Sequence, residues 1–344
     1  MPAYRNGEFI IIGENVHTTR VLTRKSPRLV TGKDGSEGLA FTDPVGKSHL
    51  LPIPENMKRG QDYQEGRIKH VKLAVEAAMT DEPELSAAGR AYLRLLVFQQ
   101  EQAGAHFLDV NVDEISINNA KQKAAMAWLA RFVQSVSNLP LSIDSSNMEV
   151  IETGMAACDG TRERPLLNSA SLERKDALDV ARRVSARVIV TAAGERGMPS
   201  GVSDRLANAG RMIEAALGKS IVAQDIFVDP LIFPISVDKS FALHSLDAMR
   251  ELRASFGTDI HITGGFSNVS FGIPHRRAVN DLFLRLAVAA GADGGIIDPV
   301  ANPPKRAHEL DPTSKVYQLA EDVLLGRDEH CRNYIRAWRK GEIS

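Results

Sequence analysis

The chain has 344 residues, with 42 Lys plus Arg against 43 Asp plus Glu and a 43% hydrophobic fraction. A formal charge of -1 supplies no basic field for nucleic acid or an anionic membrane surface, so neither is expected as a partner. Two cysteines, Cys158 and Cys331, are too few for a disulfide framework or a thiolate zinc site, and no apolar run approaches the roughly 18 residues of a membrane span.

The N-terminal string MPAYRNGEFIIIGE sets Arg5, Glu8 and Glu14 around an apolar core too short for a signal peptide, which predicts a cytoplasmic chain. The first buried strand is expected at Phe9 to Gly13. From about 22 to 61 the sequence is rich in Gly, Pro, Lys and Ser without a sustained period, and reads as a long loop insertion after strand 1, a lid or docking surface. Helical patterns follow around Gln64 to Met79 and Ser86 to Ala103. Further apolar runs begin at His106, Leu139, Pro165, Arg187, Asp225, Asp259 and Gly294, spaced by 22 to 38 positions. Each is nearly continuous, as parallel strands buried on both faces are, and amphipathic stretches lie between them. One such stretch places Leu206, Ala209, Met212, Ile213 and Leu217 on a single stripe. Ser314 to Leu325 gives the eighth helix, and about 326 to 344 is a C-terminal appendix. Eight strand-helix units argue for one (β/α)8 barrel domain over residues 1 to 344.

A barrel's chemistry sits where its strands end. The closing residues are Glu14, Asp109 and Asn111, Asp144, Asn168, Asp229, Ser267 and Asn268, and Asp298. Any one of them could be a helix N-cap, but a ring of acceptors with few cations suits a neutral heterocycle bearing N–H donors. No glycine-rich phosphate loop and no HExxH or CxxC pattern is present, so no metal site is expected.

The strings IIGENVHTTR, GAHFLDVNVDE, LPLSIDSSN, RPLLNSAS, IFVDPLIFPISVD and GGFSNVSFGIPHRR occur in that order from about Phe9 to Asp298. Together they resemble the pterin-binding barrels of methyltetrahydrofolate:corrinoid methyltransferases and of the folate module of cobalamin-dependent methionine synthase. The resemblance implies a dihydropteroate-synthase-like TIM barrel that moves a methyl group between N5-methyltetrahydrofolate and a corrinoid (cobalamin) carried by a partner protein. It implies a homodimer. By motif, Asp144, Asn168 and Asp229 hold the pterin, with Asn111, Asp109, Glu14, Ser267 and Arg276 also at the site. Asn268 of SNVS is implied as the catalytic residue, its amide donating to N5. Two other readings stand beside this one: a dihydropteroate synthase-like enzyme, disfavoured by VNVDEISINN after the second strand, and a non-catalytic folate-binding subunit of a split methionine synthase.

The chain departs from the family at Gly13-Glu14-Asn15-Val16-His17, where an arginine and an asparagine are replaced. His17 is expected to pack beneath the insertion, with donation to the folate as the alternative. Asp259-Ile-His261-Ile-Thr-Gly264 fits the DxHxxG string of corrinoid-binding domains, but it lies inside a strand run. Cobalamin is therefore expected to arrive on another protein.

Overall fold

Residues 8–32 and 35–343 are described in a computed structural model. The reading centred on Arg5, the Lys33–Asp34 pair of the insertion, and Ser344 lie outside the described residues. By compactness the chain divides into two units, one holding Glu14–Gln102 and Phe107–Pro165, the other Ala103–His106, Leu166 onward and the chain up to Gly13. Strand β1 (Ile10–His17) is continuous across that division and longer than the sequence suggested.

In the unit that begins at Glu14, the predicted loop insertion is mostly folded structure. β2 (Val21–Thr23) pairs antiparallel with β6 (Arg67–Lys69), and β3 (Leu29–Thr31), β4 (Glu37–Thr42) and β5 (Ser48–Pro52) make a separate antiparallel sheet. Leu39 stands opposite Leu51, and neither has any exposed surface, so this sheet has its own apolar seam. Two one-turn helices, α1 (Glu55–Lys58) and α2 (Gln61–Gln64), precede α3 (His70–Ala78) and α4 (Pro83–Gln102). Tyr92 on α4 ties the small sheet down. Its hydroxyl receives Arg28 Nη2 at 2.9 Å and meets His70 Nδ1 at 2.9 Å, while its ring takes the edge of Phe41 at 5.0 Å. β7 (Phe107–Asn111) then runs parallel to β8 (Leu141–Asp144), with Asn111 in register with Asp144. The helices α5 (Asn119–Val136) and α6 (Met148–Ala157) start on Asn118 and Asn147, each accepting a backbone N–H in its first turn. Cys158, a free thiol after α6, is pushed up to about 12 by burial.

The other unit carries β9 (Leu166–Ala170), β10 (Arg187–Thr191), β11 (Ile226–Asp229) and β12 (His261–Ile262) side by side and parallel. β13 (Gly294–Ile297) pairs with Ile10 to Gly13 of β1. The helices are α7 (Ala177–Arg183), α8 (Val202–Gly218), α9 (Phe241–Phe256), α10 (Arg276–Ala289), α11 (Pro304–His308) and α12 (Lys315–Leu324), and the appendix folds as α13 (Arg332–Arg339). Every residue of β9 and β10 is buried, the mark of parallel strands covered on both faces. All eight parallel strands belong to one sheet and alternate with helices, which is the (β/α)8 barrel class. The free thiol of Cys331, before α13, is raised to about 11 by burial and the nearby Asp328 charge.

Two further expectations change. The seventh strand shrinks from Asp259–Gly264 to two residues, because Gly264 turns at φ +157° and ends the ladder. The buried stripe of α8 is Arg205, Ala209, Met212, Ile213 and Ala216, while Leu217 is 46% exposed. An arginine thus heads the inward face that an apolar residue was expected to occupy.

Candidate active site

Strand ends supply the side chains in each unit. In the first, β7 ends on Asn111 and β8 on Asp144, and parallel register sets the two across from each other. Asn111 Nδ2 donates to Asp144 Oδ2 at 2.9 Å, while its Oδ1 accepts the Asp113 N–H at 2.9 Å. The carboxamide is therefore fixed in one orientation, N–H toward the carboxylate. Asp113 holds the next loop by accepting from Ser145 Oγ at 2.5 Å and from the Ser146 N–H at 2.8 Å.

Asp109, two residues before the end of β7, has no exposed surface and meets His17 Nε2 at 2.8 Å. Burial opposes a charged imidazole here, but the hydrogen bond to Asp109 and the charges of Asp109, Asp144 and Glu14 outweigh it and raise the His17 pKa. Asp144 is held above the usual carboxylate range by burial first and by the Asp109 charge second, with His17 and Asn111 pulling the other way. His17 is thus a hydrogen-bond partner of the buried Asp109 carboxylate. His17, Asp109 and Asp144 also bring one ring nitrogen and two carboxylate oxygens within 4.8 Å of one another, atoms of the kind that hold a divalent cation. Glu14, on the same strand as His17, accepts from Arg20 Nη1 at 3.3 Å.

In the other unit, Asn168 is the third of the five residues of β9 rather than its last, because the strand runs on to Ala170; it is 8% exposed and precedes a cis peptide to Ser169. β11 ends on Asp229. Its Oδ1 accepts the Leu231 N–H at 2.7 Å, and the Gly265 N–H also donates to its carboxylate. Burial pushes this carboxyl up to about 6 against the pull of those N–H groups and of Arg205. The chain after β12 passes so close that a Cβ on Gly264 would fall 2.9 Å from Asp229 Oδ1 and 2.3 Å from Ile232 Cδ1. One built on Gly265 would meet Asn268 Nδ2 at 2.9 Å. Asp229 and Asn268 therefore flank the same glycine pair.

Ser267 and Asn268 lie on a short 3-10 turn, Phe266–Ser270, rather than at a strand end. Arg276, at the start of α10, clamps that turn: its Nη2 donates to the Ser267 carbonyl at 2.5 Å and its Nε to Ser270 Oγ at 3.0 Å. Asp298 follows β13 and accepts the Val300 and Ala301 N–H groups at 3.1 and 2.9 Å, a turn role. His261 of the DxHxxG string gives Nδ1 to Asp293 at 2.8 Å, with its ring 4.5 Å from Phe227, so it is engaged within its own strand layer.

The sequence reading reached each strand-end residue but missed three: the His17–Asp109 pair, whose members are 92 positions apart, the Asp113 anchor, and Arg205. A paired glycine before Phe266 was the available signal for the close approach to Asp229.

Residues 94–298 match the family model described as pterin binding enzyme. The chain is 30% identical over 262 residues to a methylcorrinoid:tetrahydrofolate methyltransferase of Eubacterium limosum, covering 74% of this chain and 89% of that protein. It is 28% identical over 213 residues to a methionine synthase of Mycobacterium leprae, covering 58% of this chain but 17% of that longer protein. Among solved structures, dihydropteroate synthase from Xanthomonas albilineans in complex with 7,8-dihydropteroate superposes with a TM-score of 0.51 at 16% identity, covering 67% of this chain and 86% of that one. The enzyme of the same name from Stenotrophomonas maltophilia gives 0.51 at 17%, covering 70% and 90%. At those identities the two structures speak to the fold.

Proposed function

The chain belongs to the pterin-binding enzymes, and from that premise we propose that it is a methyltransferase acting between N5-methyltetrahydrofolate and a corrinoid carried on a partner protein. The observation that carries the reading is the geometry around Asp229: a buried carboxylate at a strand end, fixed by two backbone N–H groups, with the Asn268 amide beyond the same glycine pair. A pterin edge offers a ring N–H beside an exocyclic amine. A carboxylate accepting both reads that pair, and charge-assisted bonds of this kind are the strong ones. Asp144, Asn168 and Asp229 are assigned to the pterin, with Asn111 orienting Asp144.

Methyl transfer to the cobalt breaks the N5–methyl bond and forms a cobalt–carbon bond, with N5 gaining a proton; transfer to the folate is the reverse. The Asn268 carboxamide carries no charge and has no proton to give, so its part is to donate a hydrogen bond to N5 as charge changes there. The Arg276 clamp on the Ser267 carbonyl keeps the turn bearing that amide in place. The Eubacterium limosum relative is named for transfer from methylcorrinoid to tetrahydrofolate, one of the two directions open to this chemistry.

A partner is supported by the loops that leave the strand ends. Met198, Val237, Phe271 and Val300 follow β10, β11, β12 and β13 in turn and are 69%, 73%, 63% and 43% exposed. Loops that follow parallel barrel strands share one mouth, so we assign these four exposed apolar side chains to the partner's contact.

The test is turnover by purified protein with free methylcobalamin and tetrahydrofolate, and with cob(I)alamin and methyltetrahydrofolate, followed by cobalamin absorbance. Transfer in either direction that is lost in Asp229→Ala supports the reading. Folate binding without turnover, even with corrinoid protein added, would make the chain a non-catalytic folate subunit.

A further inference from the structure

Arg205 is the largest fully buried side chain among the described residues, and beyond its pull on Asp229 it has no part yet in the site. A guanidinium is almost never fully buried without a carboxylate partner, because removing it from water costs several kcal/mol before any contact is made. Among the described residues, Arg205 bonds carbonyls and no carboxylate. Its Nη1 donates to the Gly201 carbonyl at 3.1 Å and its Nη2 to the Leu231 carbonyl at 3.4 Å, its carbon lies 5.0 Å from the Phe233 ring centroid, and its Nε has no hydrogen-bond partner among the described residues. What it grips is the turn that follows β11. Leu231 sits at φ +67°, a conformation disfavoured for a branched side chain. Its two peptide groups are both committed: the N–H to Asp229 Oδ1 at 2.7 Å, the carbonyl to Arg205 and to Ser245 Oγ at 3.1 Å.

We infer that Arg205 is a positioning residue for the pterin-binding carboxylate, fixing the Asp229–Pro230–Leu231 turn through the Leu231 carbonyl and setting a buried positive charge behind Asp229. The inference rests on the assignment of Asp229 to the pterin. Within this unit Arg205 is the charged side chain acting on Asp229, and Asp204 acts on Arg205 in turn. Asp204 is exposed and bonded to Ser200, so it does not replace Arg205 at the turn. Burial alone would drive Asp229 toward its neutral form, which has lost half of its acceptor capacity for two ligand donors. A cation that is itself sealed from water is screened little by salt and keeps the acceptor available.

The test follows the Asp229 carboxyl by carbon-13 NMR across pH, assigned with Asp229→Asn, in wild type, R205M and R205K, alongside calorimetric methyltetrahydrofolate binding over the same range. Methionine matches the arginine stem in shape, so folding is expected to survive; R205Q serves if it does not. The expected result is that the Asp229 midpoint, about 6 in wild type, rises by about one pH unit or more in R205M. The acid limb of folate binding should move with it. R205K should return the midpoint close to wild type, yet bind folate more weakly at every pH, because one ammonium cannot span both carbonyls. A merely structural arginine would lower thermal stability in R205M and leave the midpoint where it was. An unchanged midpoint in a folded, charge-removed variant overturns the inference. If wild type binds no folate at any pH, the functional proposal fails, and the carboxyl titration still decides whether Arg205 governs Asp229.

Discussion

Asn268 and Asp229 flank the same two glycines but should fail differently when altered. Asn268→Ala removes a donor whose bond to N5 strengthens only as charge changes, so transfer should slow by about a hundredfold while folate affinity moves much less, measured by single-turnover kinetics and calorimetry. Asp229→Asn keeps an acceptor oxygen for the Leu231 N–H but removes a charge that burial disfavours. A carboxyl with a raised native pKa binds its proton more tightly folded than unfolded, so it takes stability away as pH rises from about 4 through its native value of about 6. Asp229→Asn is therefore expected to be more stable than wild type at pH 8 by about 1–2 kcal/mol in urea titrations, to match it near pH 4, and to bind folate poorly throughout. His17→Ala should act in the opposite sense. It takes the His17 bond from Asp109, which has no exposed surface, and breaking a buried pair from one side costs about 3 kcal/mol or more. Equal stability of His17→Ala and wild type would show that the pair is idle.

Asp144 and Asp229 were legible because a strand's last residue is marked by the end of its apolar run, whereas Asn168, inside β9, was reached because its polar side chain interrupts that run. His17 and Asp109 were not legible as a pair: each sits inside a strand, and nothing in a linear sequence records which nitrogen meets which oxygen 92 positions away. Arg205 was hidden by helical periodicity, which sorts residues by polarity and so assigns an arginine to the solvent side.

Among the elements, all eight parallel strands were found in place, since burial on both faces leaves a continuous apolar signature, but β1 runs four residues past its expected end and β12 is four residues shorter than expected. The insertion was not. Its strands are three to six residues long and mix exposed with buried positions, so glycine, proline and lysine dominate the pattern even though Leu39 and Leu51 are fully enclosed. A floppy lid would tolerate truncation of either leucine. An enclosed sheet should not: Leu51→Ala is expected to destabilise by about 2–4 kcal/mol in denaturant melts, with folate affinity nearly unchanged in the protein that remains folded. Gly264 sets a tighter constraint on its own connection. Alanine there would need φ +157° and a Cβ 2.9 Å from Asp229 Oδ1, so the carboxylate or the turn must give way. Loss of folate binding at preserved secondary structure, by calorimetry with circular dichroism, is the expected signature.

Across the whole molecule, the two thiols fall one to each compact unit, Cys158 in the first and Cys331 in the second. Burial keeps both protonated far above neutrality, at about 12 and about 11. Alkylating reagents and peroxide attack the thiolate, so the native chain should be nearly inert to them. Each sulfur then becomes a clock for its own half of the protein: iodoacetamide incorporation at Cys158 or Cys331, resolved by peptide mass, counts how often that unit opens. Methyltetrahydrofolate added to such an experiment would slow whichever clock belongs to the unit it braces, and the ratio of the two rates would apportion the ligand's grip between them.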